Sequence, residues 1–141
     1  MFEELLARGT IGPFKAGRKQ ISNLLSAAHK DLQTAKSTAE DASDWAQVMA
    51  YSAMLQAGTA LMYFYGYRPK GVEHHRSVVE FTREALGSKH STLVRDFDRI
   101  RRYRNAMLYQ GKRGTSKKDA THAIAQAKKL LKIIKKEVGA A

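Results

Sequence analysis

The chain has 141 residues, 43% of them apolar or aromatic, which is enough for one sizeable core and too apolar for a disordered chain. It contains no cysteine, which excludes a disulfide scaffold, a thiolate metal site and a cysteine nucleophile. The net charge is +12, and residues 71–141 carry +10 of it, from seventeen basic and seven acidic side chains. A positive half on a small protein points to a polyanionic partner such as nucleic acid, nucleotide phosphate or an anionic surface; the plain alternative is a solvated, soluble face. No apolar run is long enough for a transmembrane helix, and Met1-Phe2-Glu3-Glu4 lacks the basic start of a signal peptide. The expected location is the cytoplasm, with no membrane partner.

Helical spacing runs from end to end, and no stretch alternates with period two, so the expected fold is all-α. A short helical segment spans Phe2 to Arg8 and breaks at Gly9-Thr10-Ile11-Gly12-Pro13. The first long helix is expected from about Lys15 to Lys36, with Ile21, Leu24, Leu25, Ala28, Leu32 and Ala35 on one face. The second runs from about Asp41 to Tyr65, capped by Asp41 or Ser43, and is apolar nearly all round, as a central helix is. Gly66 and Pro69 stop it. A third helix follows from about His74 to Leu86 and ends at Gly87. A fourth, from about Thr92 to Tyr109, takes Ser91 as cap. After the basic loop Gln110 to Thr115, a last helix runs from Ser116 to Val138, and Ser116 with Asp119 has capping-box spacing. Short links between amphipathic helices imply an antiparallel four- to five-helix bundle forming a single domain over 1–141.

The fourth helix carries an anomaly. At 100° per residue, Leu93, Phe97, Ile100, Met107 and Leu108 form one apolar stripe, and Arg104 falls near its middle. A permanently charged guanidinium in that place needs an acidic partner, a wet cleft or a bound phosphate. Asp98, Arg101, Asn105 and Tyr109 share the adjoining flank. Arg101, Arg102, Arg104, Lys112 and Arg113 are expected within reach of one anion. The competing reading pairs Arg104 with Glu80 or Glu84.

Arg104-Asn105-Ala106-Met107-Leu108-Tyr109 resembles the signature of the HEPN superfamily, an arginine often followed by asparagine and, after a few variable residues, histidine. Leu6-Ala7-Arg8-Gly9, Tyr51-Ser52-Ala53-Met54-Leu55-Gln56, Gly66-Tyr67-Arg68-Pro69 and His74-His75-Arg76 are similar to a bacterial and archaeal branch of it. The resemblance implies an α-helical bundle, commonly a homodimer whose motif helices meet. Many members are metal-independent endoribonucleases, often toxins paired with a nucleotidyltransferase antitoxin; others bind RNA, nucleotides or partner proteins without catalysis. By carry-over, Arg104 would steady the charged transition state, Asn105 would order the site, and Tyr109 would stand where the family has histidine. Imidazole titrates near neutrality and a phenol at about 10, so this exchange weakens general acid–base catalysis while leaving phosphate binding intact. Arg101, Lys112 and Arg113 would bind RNA phosphate. Tyr109 is alternatively a target for nucleotidylation by the partner enzyme.

No metal or cofactor is implied. His74 and His75 are adjacent, diverge by about 100° on a helix, and cannot act as an i, i+4 ligand pair. His75 is a helix-start or surface histidine, or a substitute acid or base approaching the cleft. The Tyr63, Phe64, Tyr65 and Tyr67 cluster reads as core or subunit interface rather than a stacking platform. On the last helix, Lys128, Lys129, Lys132, Lys135 and Lys136 oppose an apolar arc, either solvated or lying along a nucleic-acid backbone.

Overall fold

The computed structural model describes residues 1–139. A short helix, α1 (Glu3–Ala7), precedes five long ones: α2 (Arg18–Thr38), α3 (Ser43–Phe64), α4 (His74–Leu86), α5 (Ser91–Gln110) and α6 (Lys117–Glu137). The expected all-α bundle is the observed one. Helix α3 is its axis and packs against α2, α4, α5 and α6. Its near-continuous apolar surface is the cause, since Ala46, Ala50, Ala53, Ala57 and Ala60 let neighbouring helices approach closely while Met54, Leu61 and Met62 fill the gaps, all of them fully buried. Gly58 marks the closest approach: a Cβ there would stand 2.7 Å from Val78 Cγ1 and 3.0 Å from Thr82 Oγ1 on α4. Phe81 and Phe97 complete the core from α4 and α5. Burial of each such side chain contributes about 1.5–3 kcal/mol.

Helix boundaries differ from expectation where local bonding overrides spacing. Helix α2 starts at Arg18, because Gln20 Oε1 accepts from Gly17 N–H at 2.8 Å and fixes the start there. Neither Asp41 nor Ser43 caps α3; Ser43 Oγ instead donates to Ala39 O at 3.1 Å. Ser91 is the first residue of α5 rather than its cap, because the 3₁₀ turn Ser88–His90 leads directly into the helix. The Ser116–Asp119 capping box on α6 forms as expected: Ser116 Oγ accepts from Asp119 N–H at 3.0 Å and Asp119 Oδ2 from Ser116 N–H at 3.4 Å.

A two-stranded antiparallel ribbon joins β1 (Ile11–Pro13) to β2 (Tyr67–Pro69), with Gly12 opposite Arg68. It ties the N-terminal segment to the α3–α4 connector. Each strand has three residues and ends in proline, too short to show a period-two pattern. Beside the ribbon, the Phe2 ring stacks on Phe81 at 4.3 Å and meets Tyr65 and Tyr67 edge-on, both at 5.5 Å. Tyr65 and Tyr67 thus belong to the core, Tyr63 rests on Phe14 at 4.8 Å, and Phe64 stays exposed.

Candidate functional site

Helix α5 presents two chemically different flanks at its C-terminal end. On the first flank lies Arg104, half-buried, with no carboxylate partner among the described residues. Of the two acids weighed for it, Glu80 pairs with Arg8 at 3.4 Å and Glu84 forms no ion pair. Arg104 Nη1 donates instead to Asn105 Oδ1 at 3.1 Å, and its guanidinium carbon stands 5.8 Å from the centre of the Tyr109 ring. Tyr109 is 75% exposed. Arg104 therefore meets both other motif residues, and its guanidinium keeps donors to spare.

Arg101 shares this flank but is not free. Its Nη2 lies 2.9 Å from Asp98 Oδ1, and Arg102 takes the other oxygen of the same carboxylate at 3.2 Å. One carboxylate thus neutralises part of two cations, and Arg104 is left as the unpaired one.

Facing Arg104 and Arg101 is a pair that the spacing of α5 alone does not reveal. Tyr51, buried on α3, lies with its hydroxyl 3.0 Å from His75 Nδ1 at the start of α4. Burial pushes the Tyr51 hydroxyl well above its ordinary pKa, outweighing the pull of Arg101 and Arg104. Tyr51 therefore keeps its proton, and its hydroxyl shares a hydrogen bond with Nδ1 whose direction follows the His75 tautomer. Burial also lowers the His75 pKa, and Arg104, Arg101 and His74 lower it further. These effects favour the neutral imidazole of His75. The sequence alone offered His75 as surface residue or substitute acid–base group; the structure places it in the field of Arg104.

On the opposite flank of α5 the loop 111–115 folds toward α6. Gly111, in the left-handed region at φ +68°, ends α5. Arg113 then doubles back, donating from Nη1 to Met107 O at 2.9 Å and lying 6.0 Å over the Trp45 ring. Asp44 anchors the loop, accepting from Thr115 N–H at 3.0 Å and from the Tyr103 hydroxyl, to which Thr115 Oγ1 also donates. Burial raises the Asp44 pKa, but these hydrogen bonds outweigh it and hold the carboxyl below its ordinary value. Tyr103 moves the opposite way, through burial and its bond to Asp44. Lys112 and Arg113 line a cleft of about 460 Å³ between α5 and α6, with Arg99, Arg102 and His122. Arg104 is not part of it. The expected convergence of five cations on one anion is therefore corrected: the glycine turn sends Lys112 and Arg113 to the far side of the helix. Leu108, expected in the apolar stripe, is 38% exposed.

The model of the HEPN domain family matches residues 21–138. The chain belongs to the HEPN domain family. No curated protein matches it. The match runs from within the first turn of α2 through α6, hence over both flanks of α5, while α1 and β1 lie before it. Membership in the HEPN family carries a general association with nucleotides and RNA. Among the described residues, no helix is long and apolar enough to cross a membrane, and no cluster of three or more metal-ligating side chains forms.

Proposed function

We propose that this HEPN domain binds RNA through a backbone phosphate held at Arg104. The observation that carries this reading is the guanidinium itself, half-buried on α5 with no carboxylate among the described residues to neutralise it. Asn105 orients it, and the exposed Tyr109 ring offers a face on which a base can stack. Arg101, already paired with Asp98, adds field rather than a free contact. A nucleotide phosphate presents the same chemistry as the RNA backbone.

A second reading, metal-independent endoribonuclease, is favoured by His75. In that reaction the 2′-hydroxyl oxygen attacks the adjacent phosphorus and gives up its proton to a base. The 5′-oxygen leaves and takes up a proton, and a 2′,3′-cyclic phosphate remains. Arg104 would stabilise the charge that builds on the phosphorane oxygens. Tyr109, in the place of the family histidine, would position substrate; His75, held toward its neutral form by burial and Arg104, would be the proton acceptor. The domain would work in the cytoplasm as a homodimer, with exposed Leu108 at the seam, and with a nucleotidyltransferase antitoxin as its partner in the toxin arrangement; the exposure of Tyr109 suits it to nucleotidylation.

The test is metal-free incubation with labelled RNA. Arg104→Ala is expected to weaken binding roughly 10- to 100-fold, the worth of a charged hydrogen bond. Wild-type affinity should fall steeply with salt. Cleavage lost in both Arg104→Ala and His75→Gln but kept in Tyr109→Phe supports the nuclease. Binding without cleavage supports the non-catalytic module. Unchanged RNA affinity in Arg104→Ala refutes the site.

A further inference from the structure

The geometry points to a second nucleotide-binding cleft on the α6 flank of α5, where Lys112 and Arg113 hold a phosphate and Gln47 meets the edge of the base. It goes beyond the Arg104 site and does not depend on it.

Three observations support this assignment. The first is the cleft itself, whose volume of about 460 Å³ lies in the range of small-ligand pockets. The second is charge. Of the acids nearby, Asp119 lines the cleft but is committed to its capping box, Asp98 to Arg101 and Arg102, Asp96 to Arg99, His122 and Gln126, and Asp44 to Tyr103 and Thr115. Lys112 and Arg113 have no carboxylate partner among the described residues, so a net positive charge faces the space. The third is Gln47, which is 7% exposed, lines the cleft, and has an Oε1 with no hydrogen-bond donor among the described residues.

A phosphodiester or fully ionised phosphomonoester satisfies the cations but offers Gln47 nothing, because it has no proton to donate. Each nucleobase carries at least one N–H on its pairing edge, and a Gln amide both accepts from and donates to such an edge. Arg113, which lines the cleft, also lies over the half-exposed Trp45 ring. An anion joined to a planar ring with N–H donors is a nucleotide, free or within a strand.

Trp45 is the only tryptophan, and its emission reports on the cleft through Arg113, which lies over its ring. The protein is titrated with ATP, with a short oligoadenylate, and with dextran sulfate and polyglutamate as anions without bases, exciting at the red edge of tryptophan absorption. A saturable change with ATP and oligoadenylate is expected, and little with the two base-free anions. A response to oligoadenylate alone assigns the cleft to a unit within a strand and also supports the proposal. Gln47→Met should weaken the response roughly five- to tenfold while leaving thermal unfolding unchanged or raised. Lys112→Glu, on the exposed loop, should weaken it at least tenfold and keeps the test decisive should the Gln47 variant fail to fold. Arg104→Ala should leave it within about twofold. The proposal is overturned by silence with every probe, by equal responses to the base-free anions, or by loss of the response in Arg104→Ala. Silence or equal responses leave RNA binding at Arg104 untouched, which the labelled-RNA assay reads separately, whereas loss in Arg104→Ala assigns the response to that site.

Discussion

Gly58 shows how much a single missing methyl group can fix. Its position lets α4 press against α3, with Val78 and Thr82 where a side chain would stand. Gly58→Ala should therefore cost about 1–3 kcal/mol through overpacking, despite alanine's better helix propensity, and thermal unfolding checks it. His75 answers to charge rather than volume. Its folded pKa lies below the ordinary 6.5, because burial and the nearby Arg104, Arg101 and His74 disfavour the protonated ring. Between the ordinary and the lowered value the unfolded chain binds a proton that the folded chain refuses. Stability should accordingly rise with pH through that window and level off above the ordinary value. Denaturant unfolding across mildly acidic pH is the measurement, and His75→Gln should flatten that part of the slope. Gln47 poses the opposite problem, a buried acceptor left unmatched at a cost of about 1–3 kcal/mol.

At the scale of elements, the loop 111–115 owes its course to Asp44, far away in sequence at the start of α3. That carboxylate is held below its ordinary pKa, so its bonds stabilise the fold above the ordinary value and are lost as pH falls through the lowered one. Asp44→Ala is expected to cost about 1 kcal/mol once solvent screening is allowed for. It should also speed tryptic cleavage after Lys112 and Arg113, since the loop loses its anchor. Unchanged cleavage would remove Asp44 from this role. The five long helices and the α6 capping box were legible in the sequence because spacing and capping are local signals. So was Arg104, because helix periodicity alone places it in an apolar stripe. The ribbon was not legible, since three-residue strands leave no pattern. Nor was the turn of the loop: Gly111 announces a stop, but the direction taken afterwards depends on Tyr103, Thr115 and Asp44 meeting in space. The Tyr51–His75 pair was hidden for the same reason, being a contact between helices.

For the molecule as a whole, the uneven charge acquires a shape. The excess of cations in the second half is spread around α5 and along the outer face of α6, where Lys128, Lys129, Lys132 and Lys136 are exposed. A strand bound at Arg104 and continued toward the α6 flank would follow a positive surface, and its affinity would be set more by backbone than by sequence.

The aromatic cluster beside the ribbon bears also on the order in which the protein comes into being. Phe2 is translated well before the rings that shelter it, Tyr65, Tyr67 and Phe81. Vectorial synthesis thus leaves that oily side chain unsheltered until α4 emerges. A ring made early finds its seat only late.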